Sequence, residues 1–143
     1  MKELLDINDK PSHLTIEQWL NKLEQENKIK MRHVEKALNK YNESLYPNVP
    51  HEFIQIENVE DTVGVAPIVK FTIQSDPVSV VGVNGCQALD MLKYVKYLFE
   101  SLNEAFPCRE NALTITKIEE AIHWQEARTR DRVLRNVEGK NEK

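Results

Sequence analysis

The sequence has too little of several residue types to belong to some common classes of protein. Its two cysteines, Cys86 and Cys108, are too few for a disulfide-stapled scaffold, and neither has a partner at metal-ligand spacing. They fit free thiols in a reducing cytoplasm. Four glycines are scattered along the chain without forming a glycine-rich phosphate loop. No apolar run approaches the ~20 residues of a membrane span. Residues 1–6 are too acidic and too weakly apolar for a signal peptide, so we expect the protein to act inside a cell.

An excess of positive charge is also missing. The formal net charge is −4 over 143 residues, which makes DNA and RNA polymers poor partners because a basic face normally supplies that affinity. The hydrophobic fraction of 41% and the charged fraction of 29% are typical of a globular domain that does not enter a membrane. Arginines nevertheless crowd the C-terminal part of the chain, at 128, 130, 132 and 135. A small anion could be bound there.

Residues 1–45 have a helical pattern. Thr15 and Gln18 form the signature of a capping box at a helix start. Apolar residues follow at spacings of three and four: Ile16, Leu20, Leu23, Val34, Leu38, Tyr41 and Leu45. Polar residues near position 27 interrupt this stripe, which leaves open one long helix or two shorter ones. We interpret the segment as an N-terminal extension that packs on the main domain or on another subunit.

Residues 46–143 form the main predicted domain, with strands within about 52–85 and a helical hairpin at about 88–139. Val69, Phe71 and Ile73 alternate with polar residues as in a half-buried strand. Residues 54–56, 63–65 and 78–83 are further strand candidates, and Asn84-Gly85 is typical of a turn with positive φ. The pattern predicts a small antiparallel sheet of about three strands.

The hairpin is predicted from two apolar faces joined by a short connection at Pro107. The first helix has a seam of Leu92, Val95, Phe99, Leu102 and Phe106. The second has Ile115, Ile118 and Ile122 on one face and ends near residues 137–139, with Gly139 as its cap. Tyr94 and Tyr97 fall off the seam and are expected to be the freer aromatics. The fold class is therefore α+β: an antiparallel helical hairpin, a small antiparallel sheet and an extra N-terminal helix.

Two clusters could bind an anion. Arg128, Arg132 and Arg135 share one helical face and could hold phosphates, or they could form a solvated helix end. Arg109 and Asn111 lie at a helix N-terminus, where free N–H groups attract anions, although capping and a salt bridge are the better explanation from the sequence alone.

No combination of residues points to catalysis. Glu120 and His123 match the Glu-x-x-His element of di-iron bundles, but a second such element is missing from the sequence. The histidines are scattered, and no Cys-His or Ser-His-Asp order stands out. We predict no metal, no cofactor and no catalytic residue.

The hairpin sequence itself is more specific than its periodicity. Residues 106–124 read Phe-Pro-Cys-Arg-Glu-Asn-Ala-Leu-Thr-Ile-Thr-Lys-Ile-Glu-Glu-Ala-Ile-His-Trp, followed by Arg-Thr-Arg-Asp-Arg at 128–132 and Val-Glu-Gly at 137–139. Together with 73–77 and 81–85, these segments resemble a phage anti-defence family, the anti-Thoeris and anti-CBASS sponges. The resemblance covers about residues 53–140, and the N-terminal helix has no counterpart that can be matched. Asn136 departs from the glycine of many relatives.

The resemblance implies a protein that captures cyclic nucleotide immune signals without cleaving them. The implied ligands are cyclic ADP-ribose isomers such as gcADPR, cyclic dinucleotides and cyclic trinucleotides, bound by homo-oligomers built from dimers, some of which are hexamers. It places the protein in the cytoplasm of the infected bacterial host. The implied ligand-binding residues are Asn111 and Arg128, with Phe99 or Phe106 as the stacking aromatic and Arg109, Lys117 and Arg132 as further candidates.

Two other functions stay open. An enzyme that degrades the same signals would need a metal or a general base among Glu119, Glu120 and His123. A structural or regulatory phage protein would bind another protein through the hairpin and would have no affinity for nucleotides.

Overall fold

A computed structural model describes residues 7–45, 52–61 and 64–136. A short 3₁₀ turn at Ile7–Asp9 precedes helix α1 (Ile16–Glu43). The remaining elements follow in chain order: strands β1 (Ile54–Asp61) and β2 (Gly64–Phe71), then helices α2 (Val78–Val81), α3 (Ala88–Ala105) and α4 (Arg109–Leu134). The fold is α+β with a helical hairpin and an N-terminal helix, which confirms the predicted class.

Helix α1 is one continuous helix of 28 residues, so the polar residues in its middle do not divide it. It contains neither proline nor glycine, the two residues that most disfavour a helix interior. Its start has the predicted capping box, because the Gln18 amide donates to the Thr15 hydroxyl at 3.1 Å and the Thr15 amide donates to Gln18 Oε1 at 3.0 Å. The helix packs on α3 and on the sheet. The division into an extension at 1–45 and a domain at 46–143 stays a prediction.

The sheet has two strands among the described residues, and the expectation of about three is wrong. Strands β1 and β2 are antiparallel, with a register that runs from Ile54 opposite Phe71 to Asp61 opposite Gly64. The predicted strand at 78–83 is instead the single helical turn α2. Pro77 precedes it with φ −62°, a conformation suited to starting a helix, and Gly82 ends it with φ +75°. Local backbone constraints therefore override the β propensity of the valines.

The Asn84-Gly85 pair is not a positive-φ turn, in contrast to the expectation from the sequence. The Asn84 side chain accepts a hydrogen bond from the Ser75 amide at 2.9 Å, and Gln74 Oε1 accepts from the amides of Asn84 and Gly85 at 3.0 and 3.2 Å. These bonds hold the two chain segments side by side. A Cβ on Gly85 would lie 2.4 Å from the backbone of Ile73 and Gln74, so glycine is required by close approach.

Helix α4 ends three to five residues earlier than predicted, at Leu134, with Arg135 as its C-cap. Asn136 follows with φ +59°, the left-handed conformation in which glycine or asparagine terminates a helix. The departure from glycine at this position is therefore compatible with a normal helix end. Gly139 lies outside the described residues.

The core sits where α1, the sheet and the start of α3 meet. Its buried residues are Ala37, Tyr41, Ile54, Cys86 and Tyr94. Tyr94 is 2% exposed, packs edge-on against Phe71 and donates a hydrogen bond to the Val34 carbonyl at 3.1 Å. The expectation that Tyr94 and Tyr97 are free aromatics is therefore wrong, since Tyr97 also packs against this cluster. Phe106, assigned to the predicted seam, is 70% exposed because the helix ends before it.

No helix in the described part of the chain combines the length and apolar character needed to cross a membrane.

Candidate functional site

Most of the predicted ligand-binding residues fall into two groups at opposite ends of α4; the exceptions, Phe99 and Lys117, lie within α3 and within α4. Arg109 and Asn111 lie in its first turn, next to Phe106 in the connection from α3. Arg128 and Arg132 lie in its last two turns. Helix α4 has 26 residues and α3 has 18, so about 12 Å of α4 extends beyond the start of α3. The two arginines lie in or near this extension.

The first turn of α4 is capped by the chain itself. The Asn111 amide donates to Cys108 Sγ at 3.4 Å, and the Cys108 amide donates to Asn103 Oδ1 at 3.1 Å. Asn111 is half-buried on the stripe that continues through Ile115, Ile118 and Ile122, whereas Arg109 is exposed. Asn111 is thus partly oriented towards α3, and Arg109 offers its charge to solvent.

The arginines at the other end of α4 differ in exposure. Arg128 and Arg135 are exposed, but Arg132 is 4% exposed, so the three do not present one solvent-exposed face. Arg135 Nε donates to Asp131 Oδ2 at 3.0 Å, an ion pair one turn apart within the helix. Arg128 is therefore the arginine of this C-terminal cluster best placed to reach a ligand from solvent.

Asn111 and Arg128 cannot contact the same small ligand within one chain. They are separated by 17 positions on a continuous helix, which corresponds to about 25 Å along its axis. A second copy whose α4 runs antiparallel to the first would bring Asn111 of one chain beside Arg128 of the other. If both residues bind one ligand, the pocket requires two copies of the chain.

The two candidate aromatics lie in different environments. Phe99 is half-buried in the middle of α3, and Phe106 is 70% exposed at its C-cap. Phe106 consequently offers a free ring face, and the assignment of the stacking residue stays a prediction. Lys117 is exposed and lies 3.5 Å from Glu120 Oε2, close enough for a surface ion pair.

Helix α4 also presents large apolar side chains to solvent. Among the described elements, α4 packs extensively only against α3, so most of the surface of α4 is uncovered. The exposed apolar residues on it are Leu113, Trp124, Val133 and Leu134, with exposures of 49 to 86%. Exposed apolar surface of this kind is typical of a face that contacts another protein.

Within residues 7–45, 52–61 and 64–136, no group of three or more His, Cys, Asp and Glu residues is arranged to hold a metal ion. Glu120 instead lies beside Lys117, and the His123 ring packs edge-on against Trp124.

The sequence reasoning missed a cleft between α1 and α3. Its cavity of about 360 Å³ is lined by Ile29, Arg32, His33, Lys36, Ser101, Glu104, Ala105 and Phe106. A basic cluster at 32–36 is visible in the sequence, but its partners on α3 lie 68 positions away and no local pattern connects them.

The segment from within β2 to within α4 is similar to a known domain family. Residues 66–130 match the family model of the Acb2/Tad1 hairpin domain, a region that includes Asn111 and Arg128 but not α1. This similarity agrees with the family expected from the sequence.

A relative is the protein named Thoeris anti-defense 1 of Bacillus phage SBSphiJ7, 42% identical over 86 residues. The match covers 59% of this chain and 59% of the relative.

Proposed function

We propose that this protein is a phage anti-defence protein that binds and sequesters cyclic nucleotide immune signals without cleaving them. The observation that carries the proposal is the family match across the hairpin, which spans Asn111 and Arg128, together with the identity of 42% to a Thoeris anti-defense protein. The signals are gcADPR-type cyclic ADP-ribose isomers, cyclic dinucleotides or cyclic trinucleotides. Their capture inhibits Thoeris or CBASS signalling in the cytoplasm of the infected host.

The binding pocket is formed by two copies of the chain. The separation of about 25 Å between Asn111 and Arg128 supports this arrangement, because no small cyclic ligand spans it. The exposed apolar residues of α4 support it independently, since Leu113 and Trp124 would be buried when two hairpins pack together. We infer a homo-oligomer based on such a dimer, which can assemble further into a hexamer.

The residue types suit the ligand. A cyclic nucleotide has few rotatable bonds, so it loses little conformational entropy on binding. Arg128 provides forked, charge-assisted hydrogen bonds for a phosphate, and a phenylalanine ring, Phe99 or Phe106, stacks on a base. A protein that competes with an immune effector needs roughly nanomolar affinity, about −12 kcal/mol. A pocket between two subunits excludes water, which strengthens the charged contacts with the ligand and helps the affinity to reach the nanomolar range.

The test is a capture and release experiment. The purified full-length protein is mixed with a panel of cyclic ADP-ribose isomers and cyclic di- and trinucleotides, filtered, heated and analysed by chromatography. We expect one or more ligands to disappear from the filtrate and to return intact after heat denaturation. A ligand that returns altered would identify an enzyme, and a panel that is never retained would leave a protein-binding function.

Variants identify the site. Arg128→Ala is expected to weaken capture at least about tenfold, the effect of losing a charge-assisted hydrogen bond, while the oligomer persists. Arg130→Ala is the matched control, because Arg130 is an equally exposed arginine two positions away on a different side of the helix. Equal capture by both variants would show that Arg128 does not bind the ligand.

A further inference from the structure

The cleft between α1 and α3 is a second candidate binding site. We call it the α1–α3 cleft, with the lining residues given above and a volume of about 360 Å³. This volume falls within the range of small-molecule pockets. One wall belongs to α1, which lies outside the residues that match the family model, and the cleft contains neither Asn111 nor Arg128. Of the residues proposed for the hairpin pocket, the cleft shares only Phe106, so the two sites are distinct if Phe99 is the stacking aromatic of the hairpin pocket.

The cleft is locally cationic in a chain with a net charge of −4. Arg32 and Lys36 are four positions apart on α1 and so project from the same side of the helix. Lys36 donates a hydrogen bond of 2.6 Å to Glu104 Oε2, and the bond and charge of Lys36 lower the pKa of that carboxyl group. Arg32 is exposed and forms no hydrogen bond or ion pair with the described residues. One guanidinium is thus available to an anion.

The floor of the cleft is fixed in place. His33 Nδ1 and Ser101 Oγ are 2.7 Å apart, and Ser101 is only 3% exposed. This hydrogen bond joins α1 to α3 and sets the orientation of the imidazole ring. It uses Nδ1 and leaves Nε2 for a ligand, since Nε2 forms no hydrogen bond with the described residues. A site built on two packed helices needs little rearrangement to bind.

An apolar compartment adjoins the cationic one. Its cavity of about 300 Å³ shares Ile29, His33 and Phe106 with the cleft and is otherwise lined by Lys30, Val34, Pro67, Leu98 and Leu102. Phe106 stands between the two compartments with 70% of its surface exposed. A large aromatic ring at the mouth of a cleft provides a stacking surface for a planar group. The site therefore has a charged end and an aromatic end.

We infer that the α1–α3 cleft binds a nucleoside monophosphate, with the phosphate at Arg32 and Lys36 and the base against Phe106. Glu104 opposes this binding, because its carboxylate forms an ion pair with Lys36 and repels a phosphate. The cleft thus provides a ligand site contributed by the N-terminal helix, in addition to the hairpin pocket. The inference does not depend on the function proposed above.

The test uses the full-length protein and isothermal titration calorimetry with AMP, adenosine and inorganic phosphate. We expect AMP to bind about tenfold or more tightly than either fragment, because stacking and phosphate contacts each contribute. Arg32→Ala is expected to weaken AMP binding by up to about fivefold, the range for an exposed charged contact, and Glu104→Gln is expected to strengthen it. Lys22→Ala is the matched control, an exposed cation of α1 about 15 Å from Arg32 that leaves affinity unchanged.

Three results would overturn the inference: no AMP binding at millimolar concentration, equal binding by Arg32→Ala and the wild type, or weaker binding by Glu104→Gln. Arg128→Ala separates the two sites, since it is expected to retain AMP binding. If Arg128→Ala loses capture of the cyclic signal and no form of the protein binds AMP, the site in the α1–α3 cleft is refuted and the hairpin pocket is supported. If AMP binds as expected but Arg128→Ala captures the cyclic signal as well as the wild type does, the hairpin pocket alone is refuted.

Discussion

The Tyr41 hydroxyl on α1 donates a hydrogen bond of 2.9 Å to Asp90 Oδ1 on α3. The other oxygen of the same carboxylate accepts from the Gln87 amide at 2.8 Å, which caps the start of α3. Tyr41 is 5% exposed, and burial, followed by the charge of Asp90, raises its pKa well above the usual value. One carboxylate therefore caps the hairpin and bonds the N-terminal helix to it.

Tyr41→Phe is expected to lower the free energy of unfolding by about 2 kcal/mol. The substitution removes the donor to the half-buried Asp90 carboxylate, and a hydrogen bond to a charged group contributes about that much. Urea denaturation followed by circular dichroism measures the change. Tyr97→Phe is the control, because the Tyr97 hydroxyl makes no hydrogen bond with the described residues. Equal stability of Tyr41→Phe and the wild type would mean that water replaces Tyr41.

The protein is expected to lose stability at alkaline pH. Burial raises the pKa of Tyr94 to about 12, and the pKa of Tyr41 is also raised, so the folded state retains protons that the unfolded state releases near pH 10. The stabilisation is complete below pH 10 and is lost as the pH rises towards the folded-state values. Each of the two tyrosines contributes a slope of about 1.4 kcal/mol per pH unit.

Urea midpoints from pH 8 to pH 11 test this dependence. Tyr94→Phe removes one of the titrating groups and is expected to lower the slope above pH 10 by about 1.4 kcal/mol per pH unit. A free energy of unfolding that stays constant between pH 9 and pH 11 would contradict the assignment of both tyrosines.

Gly85→Ala is expected to destabilise the fold by more than about 3 kcal/mol. The new Cβ would lie 2.4 Å from backbone atoms of Ile73 and Gln74, which cannot move without breaking the bridge between Ile73 and Cys86. Gly82→Ala is the matched comparison. A Cβ added at position 82 would have no atom within 4 Å. The cost of Gly82→Ala is therefore only the backbone strain of alanine at φ +75°, about 1–3 kcal/mol. Thermal denaturation ranks the two variants, and a larger loss at Gly82 would refute the close-approach argument.

Mixing Asn111→Ala with Arg128→Ala is expected to restore part of the ligand capture that each variant lacks. If each pocket combines Asn111 of one copy with Arg128 of another, a mixed dimer has one pocket with both residues intact and one with neither. Random exchange makes half of the dimers mixed, so about a quarter of the pockets recover. Co-refolding of the two variants followed by ligand titration measures that fraction. No recovery above the separate variants would place both residues outside a shared pocket.

Trp124→Ala is expected to change assembly without changing the stability of the single chain. The side chain is 70% exposed, so its removal should alter the free energy of unfolding of the monomer by less than about 0.5 kcal/mol. If this face joins two copies, the variant shifts the mass observed by light scattering towards the monomer. Glu126→Ala, at an exposed polar position on the same helix, is the control. An unchanged mass would show that Trp124 does not lie in the interface between two copies.

The sequence by itself determined the features that depend on neighbouring residues. The Thr15–Gln18 capping box, the strand around Val69 and Phe71 and the two hairpin helices were all predictable, because caps and periodicity involve residues within a few positions. The strand was predicted to include Ile73, but β2 ends at Phe71 and Ile73 forms only an isolated bridge to Cys86. The resemblance to a known family was also visible in the sequence, and residues 106–124, on which it was based, lie inside the segment that matches the family model.

The tertiary structure decided which side chains are buried and which distant residues meet. Tyr94 became core because α1 and Phe71 cover it, and Phe106 became exposed because α3 ends beside it. Gly85 is required by a second chain segment rather than by its own turn. The α1–α3 cleft joins His33 to Ser101 across 68 positions. Burial and cavities depend on contacts between residues far apart in the chain, and no local pattern encodes those contacts.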